Sequence, residues 1–224
     1  MYEICTVLGG MVEVQQHGFS FERWVRHTVF SGYEGNYMQK WDVPPHENRN
    51  PAIDSHLRGI AVSIKTAKIG SPIGLGDIIR QRSTSEPFLM IAGFWSQRTP
   101  TEKWFESIGA ARFSVEDWSS LWGSLTLADL NELDAIVKDM STNYRIVRQE
   151  AQAWKKKYFD GSGSKIVINP KIDSKKQRRV QCSLPFSVFW QFVGDHPTRA
   201  DKPQLFGFAF ENPVVSSARK FNRD

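Results

Sequence analysis

Gly59-Ile-Ala-Val-Ser-Ile-Lys65 is apolar and β-branched, with a glycine on its entry side, and predicts a central strand. Phe88-Leu-Met-Ile-Ala-Gly-Phe-Trp95 is nearly continuous apolar sequence and suits a second strand buried on both faces. Upstream, His17-Gly-Phe-Ser-Phe-Glu-Arg-Trp-Val-Arg-His-Thr-Val-Phe30 places Phe21, Trp24, Val25 and Thr28 at helical spacing, with Ser20 positioned to cap the first turn. Residues 32–51, with Pro44 and Pro45, read as a loop or broken strand that ends at Ala52-Ile-Asp-Ser55. A short helix is predicted over 75–82, and three more near 114–122, 126–140 and 144–158. Ser114-Val-Glu-Asp117 and Thr126-Leu-Ala-Asp129 both carry the helix-start pattern of a capping residue followed by an acid. After a flexible Gly161-Ser-Gly-Ser164, residues 165–169 and 180–184 read as strands joined across a charged turn at 173–176. Leu205-Phe-Gly-Phe-Ala-Phe210 alternates strictly, as a half-buried strand does. The order predicts an α/β (α+β) chain with a mixed central β-sheet flanked by helices, then a helical segment and a C-terminal β-rich basic region. A length of 224 residues suits one domain.

Composition narrows the function classes. With 40% hydrophobic and 24% charged residues the chain has material for a core, which excludes global disorder. The longest apolar stretch, 88–95, is far short of the roughly 20 residues of a membrane helix, so no membrane partner is expected. Cys5 and Cys182 are too few for a disulfide scaffold, and no secretory leader is evident, so the prokaryotic cytoplasm is the expected location. The five histidines show no metal-ligand spacing, and the glycine-rich 70–76 segment lacks the Gly-Lys-Ser/Thr of a nucleotide loop. Trp104, Trp118, Trp122 and Trp154 are read as packing residues. The net charge of +5 hides a segregation. Residues 144–182 hold eleven basic and three acidic residues, a net of +8, which leaves −3 for the rest. Such a distribution points to a polyanion met by the C-terminal third.

The chemistry-bearing stretch is Asn50-Pro-Ala-Ile-Asp54 followed by Val62-Ser-Ile-Lys65. Eight residues separate Asp54 from Ser63, enough for a turn that lays a second strand beside the first and brings Asp54 and Lys65 to one end of a hairpin. A carboxylate there can hold Mg²⁺ against a phosphate, while the ammonium neutralises charge and orients the attacking water. Glu22, set among core aromatics on the first helix, is placed to project toward the same sheet end.

A helix bearing Gly-x-x-Phe-Glu, then Asp54, then a strand carrying Ser-x-Lys, resembles the PD-(D/E)xK nuclease superfamily, and more narrowly its small Type II restriction endonucleases. The resemblance covers roughly 18–95. It implies a restriction-endonuclease-like fold and Mg²⁺-dependent, sequence-specific cleavage of double-stranded DNA to 5′-phosphate and 3′-hydroxyl ends. It implies Asp54 and Glu22 as metal ligands, Ser63 in the place of a second acid, and Lys65 as the cation at the scissile phosphate, with Lys68 nearby. The sequence departs from the pattern in Pro51-Ala-Ile-Asp54 and at Ser63. Glu22 is the preferred compensating acid, ahead of Glu34 and Glu47.

The basic segment is where DNA contacts are expected. Lys171, Lys175 and Lys176 suit phosphates, and Gln177, Arg178, Arg179 and Gln181 suit base edges in the major groove, which admits a two-stranded ribbon. Palindromic recognition favours a homodimer. Two other readings fit the same residues: a structure-specific repair or recombination nuclease, and a noncatalytic DNA-binding protein.

Overall fold

A computed structural model describes residues 16–35, 40–173, 177–193 and 199–215. In chain order the elements are helix α1 (Gln16–Val29), strands β1 (Ala61–Lys68) and β2 (Ile73–Asp77), helix α2 (Ile78–Arg82), strands β3 (Phe88–Gln97) and β4 (Glu102–Phe113), and helices α3 (Val115–Ser120), α4 (Leu127–Lys138) and α5 (Tyr144–Trp154). Strands β5 (Val167–Ile172) and β6 (Arg178–Leu184), helix α6 (Phe186–Val193) and the short strands β7 (Gln204–Leu205), β8 (Phe208–Ala209) and β9 (Val214–Val215) complete a mixed α/β architecture. The chain divides into two compact units. One takes the described residues within Met1–Ile69, Ile91–Ala110 and Pro197–Asp224, the other those within Gly70–Met90 and Ala111–His196. The 18–95 stretch therefore draws on both.

In the first unit the sheet runs β1-β3-β4-β9. A four-residue turn joins β3 to β4, closed by the Arg98 N–H donating to the Glu102 carbonyl at 3.1 Å. Phe88 to Phe94 are all buried, as a strand covered on both faces requires. Helix α1 buries Phe21, Val25 and Val29, and Phe21 stacks on Phe105 of β4 with ring centroids 4.9 Å apart. The close approach depends on Gly93, because a Cβ there would lie 2.7 Å from both the Phe21 and the Phe105 ring. Trp24 meets Phe210 edge to face at 5.0 Å. Because α1 starts at Gln16, Ser20 sits inside it and is not its cap.

The loop after α1 departs from the expected hairpin. Val43 and Val62 form an antiparallel bridge, so the segment beside the start of β1 is 42–43 and not 52–55. Asn48 is the cause: fully buried, it donates through Nδ2 to the Leu57 carbonyl at 2.7 Å and the Ile60 carbonyl at 3.0 Å. Both loop carbonyls are satisfied by that one amide, which holds 48–60 as a compact turn rather than a strand. Asp54 precedes a single 3-10 turn, Ser55–Leu57. The alternating 205–210 stretch is likewise not one strand. Phe206 and Gly207 both have positive φ (51° and 84°), the geometry of a tight two-residue hairpin turn, and they pair Leu205 with Phe208.

The second unit is built on the antiparallel sheet β2-β6-β5. Helices α4 and α5 pack on β6 and β5, with α2 beside them. Both capping boxes form: Ser114 Oγ accepts from the Asp117 N–H at 3.0 Å and Thr126 Oγ1 from the Asp129 N–H at 3.1 Å. Residues 75–82 are half strand and half helix, since Asp77 caps α2 by accepting the Arg80 N–H at 2.9 Å. The lysines 155–157 continue α5 as a π turn, Lys155–Phe159. Trp118, Trp122 and Trp154 are core residues, as read, whereas Trp104 lies on β4. Strand β4 and helix α6 have no counterpart in the sequence reading.

Candidate active site

Three segments of the first unit bring charged side chains together. Helix α1 presents Glu22 directly after the Phe21 that seats it on the sheet, and Glu22 pairs with Arg26 one turn on at 2.8 Å. Strand β1 presents Ser63 and Lys65 on one face, two residues apart. The third member is Asp42. Its own N–H donates to the Val62 carbonyl at 3.0 Å, which pins the residue beside β1. Its Oδ2 then accepts from the Ile64 N–H at 2.5 Å, from Lys65 Nζ at 3.0 Å and, at 3.4 Å, from the Ser63 hydroxyl. Lys65 Nζ also donates to the Ile64 carbonyl at 3.0 Å, which fixes the ammonium at the strand. The pair is partly sheltered, with Lys65 24% and Asp42 27% exposed.

Glu22 belongs to the same electrostatic cluster. Burial holds its carboxyl above the ordinary carboxylate range and the charge of Asp42 pushes it the same way, while Arg26 and Lys65 oppose them. A cleft of about 330 Å³ opens beside Glu22, and Phe19, Arg23, Arg26, His27, Tyr33 and Glu34 line it. Arg23 and Arg26 place positive charge in the cleft beside Glu22.

The sequence-selected residues separate on this geometry. Ser63 and Lys65 meet at Asp42, and Glu22 lies within electrostatic reach of Asp42 and Lys65. Asp54 is exposed at the head of its 3-10 turn, where its carbonyl accepts the Leu57 N–H at 2.9 Å, and it makes no ion pair with Lys65. Asp42 takes the position expected of Asp54. Its signal was present in Asp42-Val-Pro-Pro45: a valine able to pair with β1 directly after an acid, then prolines that end the pairing. Glu34 lines the cleft, and Glu47 lies 3.7 Å from His46 in another turn.

As a cation site the cluster offers the carboxylates of Glu22 and Asp42 and the Ser63 hydroxyl, all hard oxygen donors. Asp42 Oδ1 and Glu22 Oε2 accept no hydrogen bond among the described residues. No group of three or more His, Cys, Asp or Glu that could hold a metal occurs among the described residues. Two carboxylates fit Mg²⁺, which keeps several waters and commonly takes one or two protein carboxylates together with substrate phosphate.

The basic segment lies in the second unit. Lys175 and Lys176 fall outside the described residues. Lys171 and Arg179 are exposed and directly opposite each other on β5 and β6, and Gln181 faces Asn169 in the same ladder. Gln177 is exposed at the turn, its N–H donating to Asp173 Oδ1 at 2.7 Å. Arg178 points the other way, with Val180, and its Nη2 donates to the Thr142 carbonyl at 3.1 Å. Lys68 is exposed at the end of β1. Cys182 is buried, which pushes its thiol well above its ordinary range and leaves it no role as a nucleophile.

No helix among the described residues is long and apolar enough to cross a membrane. No protein-family model matches the chain, and neither a curated protein nor a solved structure matches it.

Proposed function

We propose that the chain is a Mg²⁺-dependent, sequence-specific endonuclease of double-stranded DNA, of restriction type, with a PD-(D/E)xK site in a restriction-endonuclease-like fold. The observation that carries the reading is the convergence of Glu22, Asp42 and Lys65 from a helix, a loop and a strand, with Ser63 beside them. It supports the nuclease reading because two carboxylates within electrostatic reach of each other and a fixed ammonium suit phosphodiester hydrolysis.

Glu22 and Asp42 are the residues that would hold the ion, and Mg²⁺ bound there would polarise the phosphate and neutralise its charge. Ser63 orients water at the carboxylate end of the site. Lys65, held 3.0 Å from Asp42, places positive charge where negative charge develops as water attacks phosphorus, and the 3′-oxygen leaves. The products are a 5′-phosphate and a 3′-hydroxyl. Action as a homodimer on a palindromic site completes the proposal.

The test is incubation of the full chain with mixed plasmid DNA and Mg²⁺, followed by sequencing of the cut ends. Fixed cut sites are expected from the native chain. Lys65→Ala should cut at least a hundredfold more slowly, the equivalent of about 3 kcal/mol of lost transition-state stabilisation. Full activity of that variant would sink the assignment.

A further inference from the structure

The register of β5 and β6 sorts the basic hairpin into two faces. Ile168, Ile172, Val180, Cys182 and Leu184 are buried on the side that carries Arg178, where α4 and α5 pack. The opposite side is a ladder, polar except for Val167, in which Lys171 faces Arg179, Asn169 faces Gln181 and Val167 faces Ser183. Exposure rises along it, from Ser183, 8% exposed, to the exposed Lys171 and Arg179.

Two features of the ladder call for an external ligand. Like charges set directly opposite on a sheet repel, and neither Lys171 nor Arg179 has an acidic partner among the described residues, so the pair costs stability unless an anion lies over it. The Gln181 amide makes no side-chain hydrogen bond among the described residues, although the neighbouring Asn169 Nδ2 donates to Ser183 Oγ at 3.0 Å. A part-buried amide, with Asp77 of β2 across from it, next to an exposed guanidinium on the most basic stretch of the chain is a donor and acceptor array for purine edges.

We propose that this outward face, through Arg179 and Gln181 with Asn169 and Lys171 beside them, reads base edges in the major groove of duplex DNA. The proposal rests on the nuclease reading for the choice of DNA as ligand. Outward residues two apart on one strand are about 6.8 Å apart, which is the rise of two base pairs at about 3.4 Å each. Arg179 and Gln181 therefore address separate positions along one strand of the site. Gln181 matches adenine and Arg179 matches guanine, while Lys171 reaches a phosphate. Arg178, although it adjoins Arg179, takes no part because its guanidinium is turned to Thr142.

The experiment is selection of bound duplexes from a randomised pool by the full chain, with Ca²⁺ in place of Mg²⁺ so that nothing is cut. The pool is expected to converge on one motif. Gln181→Ala and Arg179→Ala should each relax it at a different base pair, by about tenfold per position. Arg178→Met should select the unchanged motif, even if it melts at a lower temperature. A motif that both Gln181→Ala and Arg179→Ala select unaltered overturns the proposal, as does no motif at all or equal displacement by double-stranded RNA. Cutting by the native chain in Mg²⁺ without any motif would refute this proposal and leave the nuclease standing. A selected motif with the predicted relaxation and no cutting would do the reverse.

Discussion

Asp42 and Asp54 stand in the same connection between α1 and β1 and differ in what the backbone around them does. Asp42 is tied to Val62 by its own N–H, so its carboxylate is delivered to Ile64 and Lys65. Asp54 sits in a turn whose geometry is set by Asn48 and is open to solvent. Proline neighbours and spacing drew attention to the second acid, yet strand pairing decides which one meets the lysine, and a lone Val43↔Val62 bridge is too short to be read from an apolar pattern.

Glu22 adds a testable property at the same scale. Its carboxyl binds a proton more readily in the folded chain than in the unfolded one, because burial and Asp42 disfavour its charge. Stability therefore falls as pH rises from the ordinary value of 4.5 through the higher folded value. With metal chelated, Glu22→Gln should match the native melting temperature below that window and exceed it at neutral pH. Added Mg²⁺ should raise the melting temperature of the native chain and not that of the variant. Parallel melting curves against pH, with no response to Mg²⁺ in either protein, would remove Glu22 from the site.

Among elements, those with a strong period were legible and those with mixed composition were not. α1, β1, β3, α4 and α5 follow from apolar spacing and caps. β4 escaped notice because its buried positions include Lys103, Ser107 and Gly109, which break the apolar alternation that its burial nevertheless obeys. α6 is apolar nearly all round, which hides its period. The seating of α1 on β3 and β4 bears on the proposed site, because Phe21 and Glu22 are adjacent. Gly93→Ala would press a methyl group into the Phe21 and Phe105 rings. It should cost about 1–3 kcal/mol by overpacking, seen as a lower melting temperature, and should slow DNA cutting by displacing Glu22. Native cutting activity in the Gly93→Ala variant would show that the helix seat does not set the site.

For the whole molecule, the sequence disclosed a segregation of charge along the chain, with +8 in 144–182 and −3 elsewhere, and the structure assigns that segment to the second unit and Glu22 and Asp42 to the first. The segregation predicts DNA affinity that falls steeply with salt. Lys171→Ala should reduce the slope of log affinity against log salt by about 1, while leaving sequence preference intact. An unchanged slope would place Lys171 away from phosphate.

The central claim is that Glu22, Asp42 and Lys65 form a Mg²⁺-dependent nuclease site. Its most direct test compares plasmid cleavage in Mg²⁺ by the native chain, Asp42→Asn and Asp54→Asn. Cutting by the native chain and by Asp54→Asn, with a loss of a hundredfold or more in Asp42→Asn, is the predicted result. Equal cutting by Asp42→Asn and the native chain, or loss confined to Asp54→Asn, would contradict it.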